Sequence, residues 1–185
     1  MKKIIAVVGD AICDEGSKKW NLAFATGKAL IDAGYRIQSG GKDGIMLAAF
    51  LGAKSSENYR EGDTIGILPG FYRDTVSCIA DIIIPTGLDI ARNILVANAD
   101  AVIAIGGGAG TLSEIAFAWT LQKLILPYRN VDGWSAKMAD IRIDSRIRYE
   151  NIPEDKAYGI DTPADAIALL QKYLPLYTNY HKGIK

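Results

Sequence analysis

The chain has 185 residues, enough for one ordinary domain that buries roughly 70% of the surface exposed by its unfolded chain. Hydrophobic residues make up 49% of the sequence and charged residues 23%, and the formal net charge is zero. This composition is typical of a globular protein. A general nucleic-acid binder needs a basic excess that this chain lacks, so we expect no nucleic-acid partner.

Residues of the types that bind zinc through sulfur or nitrogen are few. Cys13 and Cys78 are isolated from each other, and the one histidine is His181. Paired zinc-ligand spacing is absent, so we expect no protein-bound metal. The first apolar run ends at Gly9 after five residues, too short for a signal peptide, and no stretch approaches the length of a membrane span. We therefore expect a cytoplasmic protein with no membrane partner.

Short apolar runs rich in β-branched residues alternate with helical patterns along the chain. They predict strands over residues 4–8, 35–38, 64–68, 81–84, 101–105 and 124–126. They predict helices over residues 17–33 and 45–54, from residue 86 to about 98, after residue 110, and after residue 162. Strands that are apolar throughout form parallel sheets covered on both sides. The sequence predicts an α/β fold: a Rossmann-like parallel sheet with helices on both faces, as one domain over residues 1–185.

Five details of these elements can be tested. Thr86 and Asp89 have the spacing of a capping box at the start of a helix. Residues 141–143 form the one candidate edge strand in the segment 128–151, which has little pattern, and residues 176–185 are expected to be a flexible tail. The helix after the glycine run has a predicted inner face of Leu112, Ile115, Ala116 and Trp119. The last helix has Pro163 at its first position, with Ile167, Leu170 and Leu174 pointing inward.

Glycines cluster where three predicted strands end. Gly9 and Asp10 follow the first strand, a second group follows the second strand, and residues 106–110 follow the fifth. The second group consists of Gly40, Gly41 and Gly44. In open parallel sheets, ligands bind beyond the carboxyl ends of the strands, at helix N-termini. These clusters therefore predict a ligand site at that edge of the sheet.

Residues 106–111, with the sequence Gly-Gly-Gly-Ala-Gly-Thr, are the most informative stretch. A strand that turns directly into a helix leaves backbone N–H groups unpaired, and the helix dipole favours an anion there. We expect a phosphate on the amides of Gly107, Gly108, Gly110 and Thr111. The pattern is neither the dinucleotide fingerprint nor the P-loop. A tight turn alone is the alternative, although four glycines in five positions exceed what a turn requires.

Three charged residues have both a structural and a functional interpretation. Glu114 stands three residues after Thr111, so it either completes a capping box or grips sugar hydroxyls and takes part in acid–base chemistry. Arg92, beside Asn93, either binds phosphate through its guanidinium fork or lies on a solvated helix face. Asp10 either caps the next segment or accepts a ligand hydroxyl.

These motifs, together with Gly40-Gly41-x-x-Gly44-Ile45-Met46 and Gly66-Ile67-Leu68-Pro69, resemble the LOG-like superfamily over roughly residues 4–127. That group includes the LONELY GUY phosphoribohydrolases, proteins often labelled lysine decarboxylases, and the molybdenum cofactor carrier proteins. The resemblance implies a Rossmann-like sheet in a homodimer or larger assembly. The hydrolases have proline at the position of Gly106. Of their Arg-Lys pair, this chain keeps one basic group, Arg92.

The resemblance is closer to the molybdenum cofactor carrier branch. It implies a binding protein for a phosphorylated, nucleotide-like ligand, such as the molybdenum cofactor or a nucleoside monophosphate. We expect the part of this ligand beyond the phosphate to lie across the loops at Gly9-Asp10 and residues 40–44. The alternative is a phosphoribohydrolase that cleaves the N-glycosidic bond of nucleoside 5′-monophosphates. Its catalytic residues would be Glu114, at the sugar, and Arg92, at the phosphate.

The helices after the fourth and fifth predicted strands have more apolar surface than one sheet face readily covers. The side chains concerned are Ile94, Leu95, Val96, Phe117, Trp119 and Leu121. Large exposed apolar patches mark interfaces. We therefore expect a homodimer or homotetramer.

Overall fold

The computed structural model describes residues 1–41, 43–73 and 79–182, so Lys42 and Cys78 lie outside the described residues. Six strands form one parallel sheet in the order β4-β3-β2-β1-β5-β6. They are β1 (Ile4–Gly9), β2 (Arg36–Ser39), β3 (Thr64–Leu68), β4 (Ile82–Pro85), β5 (Ala101–Ile105) and β6 (Leu124–Pro127). The predicted α/β fold is confirmed, with the six strands displaced by at most one residue at either end.

Helices cover both faces of this sheet. One face packs against α1 (Lys18–Asp32), α2 (Ile45–Lys54) and α6 (Pro163–Tyr173), and the other against α3 (Asn93–Ala97) and α4 (Ala109–Thr120). The short helix α5 (Trp134–Met138) follows β6. The central strands β1 and β5 are buried almost throughout because both of their faces are covered. In β4, at the edge, alternate isoleucines are exposed.

The sheet order reverses between β1 and β5, which pair with Gly9 opposite Ile105. In doubly wound folds the ligand crevice lies at this switch point, beyond the carboxyl ends of the strands. A Cβ atom on Gly9 would collide with the carbonyl oxygen of Ile105 and with the side chain of Ile45. Gly9 is therefore required by close packing at the base of the crevice.

The capping box predicted at Thr86 and Asp89 is wrong. The hydroxyl of Thr86 donates to the carbonyl of Leu68 at 2.7 Å and accepts from the amide of Leu88, so it closes the turn after β4. Asp89 has a φ of 48°, which an α-helix does not allow. The chain instead forms a 3₁₀ turn over Asp89–Arg92 and then the short α3.

The edge strand predicted at residues 141–143 is also wrong, because those residues are in no strand. Residues 157–160 instead form backbone hydrogen bonds along the outer edge of β6. The amides of Tyr158 and Ile160 donate to the carbonyls of Ile125 and Pro127 at 2.9 and 3.0 Å. The backbone of residues 140 and 141 bonds to this segment at Ala157: the amide of Asp140 donates to the Ala157 carbonyl at 2.7 Å, and the Ala157 amide donates to the carbonyl of Ile141 at 3.0 Å.

Two helical faces can be compared with prediction. In α4, Ile115 and Trp119 are buried and Leu112 is half-buried as expected, but Ala116 is exposed and Ala118 is buried instead. The buried face follows residues 111, 115 and 118–119, so the prediction was rotated by one residue, about 100°. The start of α6 is confirmed: Thr162 and Asp165 form a capping box, with Pro163 at the first helical position. On α6 and just beyond it, Leu170 and Leu174 are buried and Ile167 is half-buried.

The apolar side chains assigned to an interface fall into two groups. Val96 and Trp119 are core residues, so their assignment to a surface is wrong. Ile94 and Leu95 are exposed, and Phe117 and Leu121 are half-buried. In the segment expected to be a flexible tail, Tyr177 donates to Asp155, and the Asn179 side-chain amide donates to the Arg148 carbonyl at 2.8 Å. The flexibility of residues 176–185 stays a prediction.

Candidate functional site

The glycine loop, residues 106–108, joins β5 directly to α4. Gly106 and Gly107 have φ angles of 66° and 93°, in the left-handed region that favours glycine. Gly108 is the N-cap of α4, which has no side-chain cap. Thr111 is the third residue of the helix, so the capping box between Thr111 and Glu114 does not form. The N-terminus of α4 is therefore left uncapped by side chains.

The amide groups of residues 107–111 are unpaired among the described residues; residues 108–110 are exposed or half-buried, whereas Gly107 and Thr111 are buried. Within the described parts of the chain, these amides donate no hydrogen bond, whereas the amide of Gly106 donates to the hydroxyl of Ser135 at 2.8 Å. A Cβ atom on Gly108 would meet nothing within 4 Å. Open space thus lies beside unpaired donors at the positive end of a helix dipole, which is the arrangement that binds phosphate in proteins.

A turn after β6 holds the glycine loop in place from outside. The amides of Trp134 and Ser135 donate to the carbonyls of Gly107 and Gly106 at 2.9 and 3.0 Å. The fully buried Ser135 hydroxyl donates to the carbonyl of Tyr128 at 2.8 Å. Gly133, with a φ of 101°, lies so close that a Cβ atom there would be 2.7 Å from the carbonyl carbon of Gly106. Sequence analysis did not detect this support, because residues 128–151 show no periodic pattern.

Arg92 and Glu114 form a buried ion pair, with Nη1 of Arg92 3.1 Å from Oε1 of Glu114. Only 5% of Arg92 and 6% of Glu114 is exposed, which excludes the solvated face considered for the arginine. Burial lowers the pKa of the Arg92 guanidinium from its usual value, and attraction to Glu114 opposes that shift. Gly40 packs on the guanidinium, so that a Cβ atom there would be 2.5 Å from Nη2 of Arg92.

Asn93 connects this ion pair to α4. Its side-chain oxygen accepts from Nη1 of Arg92, and its Nδ2 donates to the Ser113 hydroxyl at 2.8 Å and to the Gly110 carbonyl at 3.3 Å. The Nε atom of Arg92 is buried and has no hydrogen-bond partner among the residues that the structure describes. The guanidinium is thus oriented by Glu114 and Asn93 and still has donor capacity unused.

Lys19, at the start of α1, is a cation beside the loop that sequence analysis missed. Its Nζ is 2.7 Å from Oδ2 of Asp10 and 2.9 Å from Oδ1 of Asp132, and it would be 3.0 Å from a Cβ atom on Gly106. Burial lowers the pKa of Lys19, but its hydrogen bonds to Asp10 and Asp132 outweigh that effect and raise it overall. Lys19 therefore stays charged near the loop.

The second glycine cluster shapes the crevice through backbone packing. Gly41 and Gly44 have φ angles of 67° and 65°. A Cβ atom on Gly44 would collide with the backbone of Asp10, whose carbonyl accepts the amide of Ile45 at 3.0 Å. Gly44 therefore packs the loop after β2 onto the loop after β1.

These elements surround a cleft of about 90 Å³. Of the predicted site residues, the structure places six around this cleft: Gly9, Arg92, Asn93, Gly110, Thr111 and Glu114. The others, namely Asp10, Gly40, Gly41, Gly44, Gly107 and Gly108, lie in the loops beside it. Ala11, Met46 and Ile90 complete the lining and were not predicted.

Two general features of the described residues bear on the kind of site. In ranges 1–41, 43–73 and 79–182, no group of three or more His, Cys, Asp or Glu side chains is placed to hold a metal ion. Across the same ranges, none of the helices is long and apolar enough to span a membrane.

Solved structures of other proteins resemble this chain in fold and, in two cases, also in sequence. The molybdenum cofactor binding protein from the phototrophic bacterium Rippkaea orientalis is 32% identical, with a TM-score of 0.73 over 93% of this chain and 97% of that chain. The molybdenum cofactor carrier protein from Chlamydomonas reinhardtii is 28% identical, with a TM-score of 0.73 over 95% and 99% of the two chains. DNA processing protein A from Helicobacter pylori shares the fold alone, at 21% identity and a TM-score of 0.63 over 92% and 80%.

Comparison of sequences identifies a relative and a family. An uncharacterized protein of Archaeoglobus fulgidus is 38% identical over 115 residues, which are 62% of this chain and 72% of that protein. The model of the SLOG cluster4 family matches residues 2–156, which is most of the chain. The protein therefore belongs to the SLOG cluster4 family.

Proposed function

We propose that the protein binds a phosphorylated small molecule, with the phosphate on the amides of residues 107–111. The observation that carries this proposal is the set of unpaired amides at the N-terminus of the 12-residue helix α4, beside open space at Gly108. Backbone donors fixed in this arrangement bind phosphate without reorganising, and the helix dipole adds to the attraction.

The ion pair between Arg92 and Glu114 gives the site a second anion-binding element. Arg92 lines the same cleft as Gly110 and Thr111, so its positive charge lies near the amides. Charges in a partly buried site interact more strongly than charges in water. Glu114 also lines the cleft and carries an opposite charge. An incoming phosphate would therefore compete with Glu114 for the guanidinium.

The size of the cleft limits what it can hold. Its volume of about 90 Å³ is far below the roughly 300 Å³ at which pockets for small molecules begin. An anionic group fits such a space, whereas the remainder of a nucleotide or pterin does not. We propose that this remainder lies across the loops at Gly9-Asp10 and residues 40–44, at the open edge of the sheet.

The resemblance to the proteins of Rippkaea orientalis and Chlamydomonas reinhardtii supports a specific ligand. Those proteins bind or carry the molybdenum cofactor. The residues present here fit the phosphate of such a ligand, because a side chain at position 108 would fill the space beside the unpaired amides. We propose a carrier or binding protein for a phosphorylated, nucleotide-like ligand, with the molybdenum cofactor as the first candidate and a nucleoside monophosphate as the second.

Paired ligands test the phosphate requirement. Isothermal titration calorimetry with AMP and adenosine, and with a phosphorylated pterin and its dephosphorylated form, measures what the phosphate contributes. In whichever pair binds, we expect the phosphorylated ligand to bind at least about tenfold more tightly than its unphosphorylated partner. This is a difference in binding free energy of about 1.4 kcal/mol. Equal affinity within that pair would contradict the proposal.

Glu114 supports a second candidate function. A buried carboxylate that lines an anion-binding cleft could assist hydrolysis of an N-glycosidic bond, in which water adds to the sugar carbon and the base leaves. The products would be a free base and ribose 5-phosphate. Incubation with AMP or a cytokinin ribotide, followed by chromatography for the free base, tests this activity. Release that is lost in Glu114→Ala would favour the enzyme over the carrier.

An exposed apolar surface beside the cleft supports self-association. Leu88, Ile90, Ile94 and Leu95 are 48%, 63%, 40% and 42% exposed, and Ile90 also lines the cleft. Such surfaces mark protein interfaces. We propose a homodimer or homotetramer through this surface. Light scattering that reports a monomer at micromolar concentration would contradict it.

A further inference from the structure

A second and larger cavity lies at the opposite edge of the sheet. Lys3, Tyr35, Asp100 and Lys123 each precede a strand, so they lie at the amino ends of β1, β2, β5 and β6. With residues that follow α6 they line a cavity of about 570 Å³. This volume is within the range of roughly 300 to 1,000 Å³ that small-molecule sites occupy. The cavity shares no lining residue with the cleft at the glycine loop.

The charged groups of the cavity do not cancel. Both carboxylate oxygens of Asp100 have a partner. Its Oδ1 is 2.8 Å from Nζ of Lys3, and its Oδ2 accepts a hydrogen bond from the amide of Ile4 at 2.8 Å. Lys123 is half-buried, and its Nζ makes no hydrogen bond or ion pair with any part of the chain that the structure describes. Burial lowers the pKa of the Lys123 ammonium, which shows the cost of keeping this charge out of water. Among the described lining residues, two ammonium groups and one carboxylate give a net charge of one positive unit.

Five of the eight remaining lining residues are aromatic or aliphatic, and the other three, Gln171, Thr178 and Asn179, are polar and uncharged. Tyr35 and Tyr177 are half-buried and pack against the main hydrophobic core, and Leu174 is buried in it. Aromatic rings and a leucine beside an unpaired ammonium suit a flat apolar body that bears one negative charge. A ligand group with two negative charges would leave one of these charges without a positive partner in the cavity.

We infer that this cavity is a second ligand site, which takes a small aromatic molecule with a single carboxylate or similar monoanionic group directed at Lys123. The inference does not depend on phosphate binding at the glycine loop, because the two sites share no residue. A molecule bound here would contact the starts of β1, β2, β5 and β6.

Calorimetric titration with 2-naphthoate and with the neutral 2-naphthamide tests the site. We expect naphthoate to bind at least about fivefold more tightly than naphthamide, because only the anion pairs with the ammonium. Lys123→Met keeps the length of the side chain and removes its charge, and should remove this difference. Lys28→Met is the matched control, since Lys28 pairs with Asp32 on the surface of α1. AMP affinity should be the same in both variants.

Amide NMR shifts locate the bound probe. We expect perturbations at residues 3, 100 and 123 and none at residues 106–111. Any of three results would overturn the inference. Naphthoate fails to bind at millimolar concentration, it binds Lys123→Met as tightly as the wild type, or it perturbs the glycine loop instead. Should Lys123→Met fail to fold, Thr178→Trp provides a second test, because the indole of this exposed lining residue would fill the cavity. Undiminished binding to that variant would also overturn the inference.

Discussion

Arg92 and Arg148 are both buried, with 5% and 7% of their surface exposed, but their surroundings differ. Nε and Nη2 of Arg148 bind the two carboxylate oxygens of Asp155 at 2.7 and 2.6 Å. Its Nη1 donates to the carbonyls of Trp119 and Lys123 at 3.2 and 3.0 Å. The guanidinium also stacks on the ring of Trp119, 3.6 Å from its centroid. All three nitrogens of Arg148 are bonded within the protein.

Within residues 1–41, 43–73 and 79–182, Arg92 is bonded through one nitrogen only. Nη1 contacts Glu114 and Asn93, while Nε is buried without a partner. Buried polar groups are nearly always hydrogen-bonded, and exceptions mark sites where another molecule or a special role supplies the explanation. The comparison suggests that Arg148 stabilises the fold, by joining residues 148–155 to α4, and that Arg92 is held ready for a ligand.

The largest expected effect is on stability. Arg148→Met leaves Asp155 without its cation, and removing one partner of a buried ion pair costs about 3–5 kcal/mol. Arg92→Met should cost less, because Arg92 contacts Glu114 and Asn93 through one nitrogen, whereas Arg148 makes a two-point contact with Asp155 and also donates to two carbonyls. Urea denaturation measures the free energy of unfolding of both variants. Equal losses would mean that the two arginines have the same structural role.

The next largest effect concerns the amides themselves. Gly108→Val should remove the preference for AMP over adenosine, which is at least about tenfold in the wild type, because the side chain would fill the space beside the unpaired amides. The fold should persist, since the φ of Gly108 is −97° and a Cβ atom there meets nothing within 4 Å. Calorimetry measures the affinities, and urea denaturation confirms that the variant folds.

Gly108→Ala is the graded control and should reduce the preference without removing it. A preference for AMP that survives in Gly108→Val would show that the amides do not bind the phosphate. In that case Arg92 alone would have to account for any preference.

Arg92→Met tests what the arginine contributes to binding. The preference for AMP should fall by about threefold, because the amides remain and one charge-assisted contact is lost. Titration of Arg92→Met and Arg148→Met at a temperature where both are folded gives the comparison. A preference that is unchanged in Arg92→Met would assign the arginine to orienting Glu114 and leave the amides as the whole phosphate site.

The features that sequence predicted well are local in the chain. Residues 106–111 combine a strand end, glycines and a helix start in one continuous stretch, so their backbone geometry follows from residue type. The Ala109–Thr120 helix and the parallel sheet follow from apolar patterns in the same way. Arg92 was singled out because it is a charged residue in an otherwise apolar segment.

The features that sequence missed depend on contacts between distant segments or lie in segments without a periodic pattern. The ion pair of Arg92 with Glu114 spans 22 residues, and that of Arg148 with Asp155 is built where the chain has no periodic pattern. The cavity at the amino edge draws on residues from Lys3 to Tyr180. The error on the inner face of α4 has a different cause: Ala116 and Ala118 are the same residue type, so residue type alone does not show which of them is buried.

Lys19 is expected to have the smallest effect on phosphate binding. Its ammonium is charged and lies beside Gly106, but Asp10 and Asp132 already pair with it, so that its net attraction for an anion is weak. Exposed charges interact modestly and are screened by salt. Lys19→Met should therefore weaken AMP binding by about twofold at low ionic strength, and the difference should vanish near 1 M salt, where the Debye length is about 3 Å. The contribution of Arg92, which is buried, should persist at that ionic strength, so a salt series with both variants separates the two cations. A twofold loss in Lys19→Met that does not respond to salt would indicate direct contact between Lys19 and the phosphate, and would place the ligand over Gly106 as well as on α4.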